Sequence, residues 1–208
     1  RNLEVYHLAN RDPHIYFALL TDYLDAAKKE LPEDTALLKT TIEGIAALNQ
    51  RYPHPHGKTS FFLLHRERSY NPQERIWMGW ERKRGKLTEF NSLLVGEEDT
   101  SFTTIIGERE VFKQIRYVIT LDSDTQLPRE AAKRLIGTIT HPLNAPVIDE
   151  AKGIVVKGHG ILQPKITVCN ASANQTLFSL LHGDQAVIDL YSGAVSNPYQ
   201  DLFGRGIF

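Results

Sequence analysis

Short apolar runs and longer amphipathic stretches alternate along the first part of the chain. Residues 3–8 and 15–20 are short and apolar, and each run predicts a β-strand. Residues 31–50 carry apolar side chains at helical spacing behind an acidic first turn, which predicts an amphipathic helix. Residues 61–64 predict a further strand. This order is typical of an α/β fold.

The same alternation continues through residue 140. Residues 66–75 are polar and predict a loop, and residues 87–94 place apolar side chains on one helical face that ends at Gly96. Residues 117–121 are apolar and rich in β-branched side chains, so they predict a buried strand. Residues 129–140 predict a helix, with a proline just before it.

Beyond residue 140 the pattern changes. Residues 141–146 contain two prolines and end the helix, and residues 153–156 and 161–168 predict an antiparallel pair joined by the turn at 158–160. Residues 174–181 predict a helix, and the remainder is rich in loop-forming residues. We therefore expect a parallel α/β sheet through residue 140, with an antiparallel element added after it.

Composition excludes several classes of protein. The 208 residues are 41% hydrophobic and 24% charged, which is ordinary for a globular protein, and no run approaches the roughly 20 apolar residues of a membrane helix. The formal charge of −1 gives no reason to expect a nucleic-acid partner. Cys169 is the single cysteine, so no disulfide forms within the chain.

Two aspartates at the end of the predicted strand 117–121 are the first chemical candidate. Asp122 and Asp124 are separated by one serine, so both carboxylates can lie on the same side of an extended loop. Mg²⁺ and Mn²⁺ prefer oxygen ligands and commonly bind one or two carboxylates together with phosphate oxygens. The pair is a candidate metal and diphosphate anchor. Helix capping by solvated acids is the alternative.

A basic turn and a second acidic loop complete the set of candidates. Residues 80–86 contain four cations and open a helix, where free N–H groups and positive charge can hold phosphate; a solvated basic turn is the alternative. Asp22 and Asp25 follow the predicted strand 15–20, where an acid can hydrogen-bond a nucleoside or cap the next turn. The pair His54 and His56 lacks a third ligand, and neither a dinucleotide fingerprint nor a P-loop is present.

The order of these candidates resembles that of family-2-like glycosyltransferases of the GT-A fold. More closely, four segments are similar to the glycosyltransferase domain of cyclic β-1,2-glucan synthases: WMGWERKRGKLTEFNSLL (77–94), YVITLDSDTQLPREAAKRLIGTITHPLN (117–144), GHGILQPKIT (158–167) and NPYQDLFGRG (197–206). The resemblance covers essentially the whole chain. It implies a GT-A-type, Rossmann-like mixed sheet flanked by helices, with a nucleotide-binding part at 1–140 and an acceptor-side part at 141–208.

The resemblance also implies roles for individual residues. Such enzymes transfer glucose from UDP-glucose to a growing β-1,2-glucan with inversion, assisted by Mn²⁺ or Mg²⁺. By the match, Asp124 and Asp122 would bind the metal, with Asp122 also contacting the nucleotide. The remaining nucleotide-binding residues would be Asp22, Arg84 and Lys86. The sugar or acceptor side would include Gln163, Tyr199 and Asp201.

Inversion further requires a general base that deprotonates the attacking hydroxyl. The resemblance places that carboxylate beyond Phe208, and it places a first strand and helix before Arg1. We therefore expect a partial domain, incomplete at both ends, that does not turn over alone. Full-length members of the family are inner-membrane proteins with this domain on the cytoplasmic face, and the rest of that parent protein would be its partner. The alternative is a non-catalytic nucleotide- or glycan-binding module of the same fold.

Overall fold

A computed structural model describes residues 1–57 and 59–164, and these divide into two compact units, Arg1–Ile136 and Gly137–Phe208. The first unit contains a three-stranded sheet, a small hairpin and helices. The helices among the described residues are α1 (Asn2–Ala9), α2 (Asp34–Arg51), α3 (Arg82–Val95) and α4 (Ala131–Ile139), with 3₁₀ helices at Arg109–Gln114 and Pro142–Asn144. The strands are β1 (Phe17–Asp22), β2 (Phe61–Arg66), β3 (Ser69–Asn71), β4 (Ile76–Met78), β5 (Phe102–Ile106), β6 (Val147–Asp149) and β7 (Ile154–Lys157).

The central sheet is mixed, with strand order β1-β2-β5. β1 and β2 are parallel, and β5 pairs antiparallel with β2. Every residue of β2 is buried, which follows from its place in the middle of the sheet with helices on both faces. The mixed α/β class predicted from the sequence is confirmed, whereas the expectation of a parallel sheet is wrong because β5 runs the other way.

Alternate residues of β2 pack against two different layers. Phe61 and Leu63 face a cluster that includes Ile45 of α2. Phe62 and Leu64 face a second cluster that includes Phe90 of α3. The sheet therefore lies between α1 and α2 on one side and α3 with the first 3₁₀ helix on the other, as the period-two pattern of a central strand requires.

The first element differs from the sequence prediction. Residues 3–8 belong to helix α1, because Leu3 and Tyr6 share a helical face that packs on the α2 side of the sheet. His7 adds an edge contact to Phe17, with ring centroids 5.4 Å apart. Val5, which a strand would have buried on the same side as Leu3, is half exposed. The helix has eight residues, too few for the helical spacing of its apolar side chains to be recognised, so the short apolar run was interpreted as a strand.

The predicted strand at 117–121 is also wrong, since these residues pair with no strand in the described part of the chain. Tyr117 and Val118 are 44% and 42% exposed. β2 already has a partner on both edges, so it offers no free backbone groups to this segment. Without a ladder, the apolar composition alone does not make a strand.

Other differences concern local pairing. The loop predicted at 66–75 contains β3 and the start of a hairpin with β4, and β5 was not predicted. In the second unit, β7 confirms the first predicted strand, but its partner is β6 rather than residues 161–168. Of that predicted partner, residues 161–164 are not in a strand, and 165–168 lie outside the described residues, as does the predicted helix at 174–181. The helices predicted around α2, α3 and α4 are confirmed.

Candidate functional site

The carboxyl ends of β1 and β2 place an acid and a cation side by side. Because the two strands are parallel, they end at the same edge of the sheet, and Asp22 lies opposite Arg66 in the register. A β-bulge at His65 and Arg66 interrupts the pairing of β2 with β5. Bulges commonly redirect a side chain at the rim of a sheet, and here the redirected side chain is a buried arginine.

Arg66 makes three hydrogen bonds in different directions. Its Nε donates to Asp22 Oδ1 at 2.7 Å, one terminal nitrogen donates to Glu89 Oε1 at 3.4 Å, and the other donates to the backbone carbonyl of Arg82 at 2.9 Å. The side chain is 0% exposed, and its guanidinium carbon lies 6.0 Å from the centre of the Phe102 ring. A buried charge of this kind requires such partners.

Lys86 completes the charge pairing of Asp22. Its Nζ lies 2.8 Å from Asp22 Oδ2, so each oxygen of this carboxylate has one cationic partner. The side chains of Asp22 and Lys86 are 14% and 18% exposed, so both are mostly shielded from solvent. The fit is close, because a Cβ at Gly79 would lie 2.8 Å from Asp22 Cγ. Glycine at this position lets the chain approach the carboxylate.

The start of α3 is held by a second ion-pair network. Glu81 and Arg82 both have positive φ angles, 49° and 46°, which side-chain-bearing residues rarely adopt and which commonly occur near functional sites. Arg82 pairs with Asp25 at 2.9 Å and with Glu74 at 2.6 Å. The hydrogen bond from Arg82 lowers the pKa of Glu74, and the two acids raise the pKa of Arg82, so Glu74 and Arg82 stay charged.

Asp22, Asp25, Arg82 and Lys86 line an open cleft of about 650 Å³, a volume within the usual range of small-molecule sites. Its lining consists of residues 22–25, 79, 82, 83 and 86. Three cations of α3 face two acids that follow β1. A second hollow, at residues 27–32, contains none of the ion-paired residues of the cleft, so we place the functional site at the first.

The Asp122 carboxylate reaches the same helix start through Lys83. Lys83 Nζ contacts Asp122 Oδ1, and both side chains are more than half exposed. Asp124 is exposed and forms no ion pair with another described residue. The structure therefore brings one acid of the Asp-Ser-Asp motif to the edge of the cleft and leaves the second open to solvent.

The loop that carries these acids rests on α1 rather than on the sheet. Asn2 Nδ2 donates to the carbonyl of Ser123 at 2.9 Å, and the Tyr6 hydroxyl donates to the carbonyl of Thr125. Within the loop, the backbone N–H of Thr125 donates to the carbonyl of Asp122 at 3.1 Å. Backbone contacts thus fix the path of the loop, while the Asp122 carboxylate contacts Lys83 and the Asp124 carboxylate is exposed.

The donor set is suitable for a hard divalent cation that also binds a phosphate. Residues 1–57 and 59–164 contain no group of three or more His, Cys, Asp or Glu side chains arranged to hold a metal. Asp122 and Asp124 supply two carboxylates, and Mg²⁺ commonly binds one or two carboxylates with phosphate oxygens and water completing its shell. The residues therefore fit a metal that arrives together with a diphosphate, and do not form a metal cage of their own.

The other predicted site residues lie elsewhere. Arg84 is 78% exposed, pairs with Glu81 at 3.0 Å and is not part of the cleft lining, because it lies on the opposite side of the first turn of α3 from Lys86. Gln163 occupies an exposed position in the second unit. Tyr199 and Asp201 lie outside the described residues, and the general base was expected beyond Phe208, outside this sequence.

Sequence reasoning missed Arg66, Glu89 and the pairing roles of Arg82 and Lys83. One signal could have indicated Arg66, namely a cation two residues after the apolar run 61–64, which predicts a strand. The contact with Glu89 follows from the turn of α3 and has no signal in the linear sequence. Lys83 was noted within the basic turn, but its pairing with Asp122 joins positions 39 residues apart.

His65 is a further buried polar residue beside the cleft. Its Nδ1 shares a hydrogen bond of 2.9 Å with Thr21 Oγ1, and its Nε2 has no hydrogen-bond partner among the described residues. Tyr23 packs on the imidazole edge to face, with ring centroids 4.2 Å apart. Burial lowers the pKa of His65 and raises that of Tyr23, so both are neutral at pH 7.

None of the helices in the described part of the chain has the length and the apolar character needed to cross a bilayer.

Comparison with known proteins gives the chain a family. No protein-family model matches it. The cyclic beta-(1,2)-glucan synthase NdvB of Rhizobium meliloti (strain 1021) is 48% identical to it over 213 aligned positions. The match covers the whole chain but spans 7% of the length of that protein. The resemblance found in the sequence is therefore confirmed, and the chain belongs, as a segment, to the cyclic β-1,2-glucan synthase family.

Proposed function

We propose that this chain contributes the nucleotide-binding part of a glycosyltransferase that transfers glucose from UDP-glucose to a growing β-1,2-glucan with inversion. One observation carries the proposal. The cleft at the end of β1 brings Asp22 and Lys86 into contact and ties Asp122 to the same helix turn through Lys83. Acids that would bind a nucleoside and a metal thereby lie next to cations that would bind phosphate, which supports the proposal. The kinship with a glucan synthase supports this chemistry.

The cations of α3 would bind the diphosphate. The first turn of a helix offers free N–H groups, and Lys83 and Lys86 add positive charge on the side that faces the cleft. In the structure each of these lysines pairs with an aspartate. Binding of the diphosphate therefore exchanges one anionic partner for another. Charge that develops on the departing diphosphate would be stabilised by the same groups.

Asp22 and Asp25 would bind the nucleoside, since their carboxylates accept hydrogen bonds and line the other wall of the cleft. Asp122 and Asp124 would hold Mg²⁺ or Mn²⁺. The bound cation would supply additional positive charge for the leaving diphosphate. We further propose that Gln163, Tyr199 and Asp201 serve the sugar or acceptor side, that the general base lies after Phe208, and that the parent protein places this domain at the cytoplasmic face of the inner membrane.

The test is a calorimetric titration of UDP into the chain with and without Mn²⁺. The proposal predicts binding that weakens by about tenfold or more when Mn²⁺ is omitted or Asp124 is replaced by alanine, a loss of at least about 1.4 kcal/mol. Lys86→Met should weaken binding similarly. Asp99→Ala removes an exposed acid on the connection from α3 to β5 and should have no effect.

Two outcomes would contradict the proposal in different ways. If UDP binds equally well without Mn²⁺ and in Asp124→Ala, Asp124 is not a metal ligand. The chain would then still be a nucleotide-binding module. Absence of any UDP binding, with the chain folded as judged by circular dichroism, would contradict the nucleotide site itself.

A further inference from the structure

We propose that Arg66 is a positioning residue of this cleft, which holds Asp22 in place so that Lys86 can move from Asp22 to a phosphate of the ligand. The inference rests on the proposed function and adds a residue to it. Arg66 is not in the cleft lining, and its effect on a ligand would pass through Asp22 and Lys86.

The geometry prevents Arg66 from binding a ligand itself. Its three nitrogens donate to three separate acceptors, Asp22, Glu89 and the carbonyl of Arg82, and its side chain is completely buried. The bulge at the end of β2 and the Phe102 ring below the guanidinium restrict its orientation. A planar guanidinium with several fixed donors is suited to holding other groups in defined positions.

Charge balance explains why a second cation is needed. Asp22, Glu89, Arg66 and Lys86 carry two negative and two positive charges and form one connected cluster. If Lys86 turns to a phosphate, Asp22 still has Arg66. A carboxylate that is mostly buried and has lost all partners would be strongly unfavourable. Arg66 thereby lowers the free-energy cost of releasing Lys86 from Asp22.

Glu89 has hydrogen-bond partners other than Arg66. It accepts hydrogen bonds from the Ser101 N–H at 3.0 Å and from the Ser101 hydroxyl at 2.6 Å. Removal of Arg66 therefore leaves Glu89 with partners, whereas Asp22 keeps Lys86 alone. Lys86 should then be bound more tightly and should be less available to a ligand or a reagent.

Arg68 offers a matched control. It is buried just after the end of β2, and it pairs with Asp34 through two hydrogen bonds of 2.5 and 3.1 Å. Its other hydrogen bonds go to the backbone carbonyls of Leu24 and Lys29, so none of its described hydrogen bonds involves Asp22 or Lys86. Arg66→Met and Arg68→Met therefore each remove one buried guanidinium from the same end of β2, and the inference concerns the first alone.

The first test measures how fast each lysine reacts with an acylating reagent, read by mass spectrometry of peptides. In Arg66→Met, acylation of Lys86 should be slower than in the unmodified sequence by about fivefold, the factor expected for a modestly stronger ion pair. Lys39, which is exposed on α2, should not change. Arg68→Met should leave the rate at Lys86 unchanged. Loosening of the fold would instead make Lys86 react faster, so the two explanations predict opposite signs.

Arg66→Lys keeps the charge but cannot reach all three acceptors, and it provides a second variant if Arg66→Met does not fold. The acylation rate of Lys86 in Arg66→Lys should lie between the rates in the unmodified chain and in Arg66→Met. An unchanged or increased rate at Lys86 in the folded Arg66 variants would overturn the inference.

The second test compares UDP with uridine as ligands in the same variants. Arg66→Met should weaken UDP binding by about tenfold, because Lys86 no longer leaves Asp22 readily. Uridine has no phosphate, so its affinity should change by less than about twofold. Equal losses for both ligands would indicate general distortion and would overturn the inference. If the unmodified chain binds no UDP, the proposed function fails, while the acylation rates still decide the role of Arg66.

Discussion

Residues 61–64 of β2 and residues 117–121 are two short apolar runs, and each is followed within two residues by a charged side chain. β2 has strands on both edges and helical layers on both faces, and all of its residues are buried. Residues 117–121 have no strand partner in the described part of the chain and are largely exposed. The comparison shows that a strand is created by its neighbours, because backbone hydrogen bonds and packing supply most of its stability.

The acids beside the two runs differ accordingly: Asp22 ends β1, the strand paired with β2, and Asp122 follows residues 117–121. Asp22, next to β2 in the sheet, is shielded and has two cationic partners, whereas Asp122 is more than half exposed and contacts one flexible lysine. One side of the cleft is therefore built into the core, and the other lies on a loop supported by α1. We expect mutations on the first side to change stability and those on the second to change binding.

Truncation of a buried side chain should have the largest effect. Leu64→Ala removes part of a core residue that is 0% exposed and should lower the free energy of unfolding by about 3 kcal/mol. Val118→Ala, in the exposed run, should cost less than about 1 kcal/mol. Chemical denaturation followed by circular dichroism measures both values. Equal losses would mean that residues 117–121 are packed in solution.

Neutralising the two acids should give the next largest difference. Asp22→Asn leaves the buried Arg66 with a weaker acceptor and should lower the unfolding free energy by about 2 kcal/mol. Asp122→Asn should change it by less than about 0.5 kcal/mol, since exposed ion pairs contribute little. The same denaturation experiment applies, and a reversed order would contradict the assignment of Asp22 to the core side of the cleft.

Asn10 links α1 to the start of α4, so its replacement should lower the stability of the fold. It is completely buried, and its side-chain oxygen accepts a hydrogen bond of 3.0 Å from the Ala132 N–H. Asn10→Ala should lower the melting temperature through a loss of about 1 kcal/mol, as for a lost helix cap. Asn2→Ala, which removes an exposed contact to Ser123, is the control and should cost less. No difference between the two variants would show that the cap is unimportant.

His65 should make the stability of the sheet depend weakly on pH. Burial lowers its pKa in the folded protein, so the unfolded chain takes up a proton first as the pH falls. Its contribution to stability is complete above about pH 6.5 and is lost as the pH falls toward the lowered value. The charged groups acting on its ring are Asp22, Glu67, Asp34 and Lys86.

The measurement compares unfolding free energies at pH 7.5 and 5.5. The unmodified chain should lose about 0.5–1 kcal/mol more than His65→Gln over this interval. His7, whose pKa burial also lowers, contributes in the same direction in both proteins and so cancels. His14→Gln, at an exposed position, should behave as the unmodified chain does. A pH dependence unchanged in His65→Gln would contradict the burial of its neutral form.

Much of the fold could be predicted because some elements carry their own signal. α2 has 18 residues with helical periodicity and an acidic first turn, and α3 is capped by Gly96, whose φ of 100° favours glycine. β5 and the β3–β4 hairpin are short and polar in part, so no local pattern marked them. α1 was mistaken for a strand because its stabilising contacts come from α2 and the sheet.

The site was predictable to the extent that its residues lie at element ends. Asp22, Lys86 and Asp122 were identified from their places after a strand, at a helix start and after an apolar run, and the structure brings the first two into contact. Arg84 was chosen from the same basic turn, but helical geometry directs it away from the cleft. The contacts of Arg66 could not be assigned, since its partners Asp22 and Glu89 are 44 and 23 residues away.

The central claim is that Asp22 and the Asp122–Asp124 loop serve one nucleotide site. Paramagnetic broadening of backbone amide signals tests it directly, with the chain saturated by UDP and trace Mn²⁺ added against a Mg²⁺ reference. The account predicts that signals of residues 22–25 and 122–125 broaden together, and only when UDP is present. Broadening at one of these segments without the other, or broadening independent of UDP, would contradict a shared site.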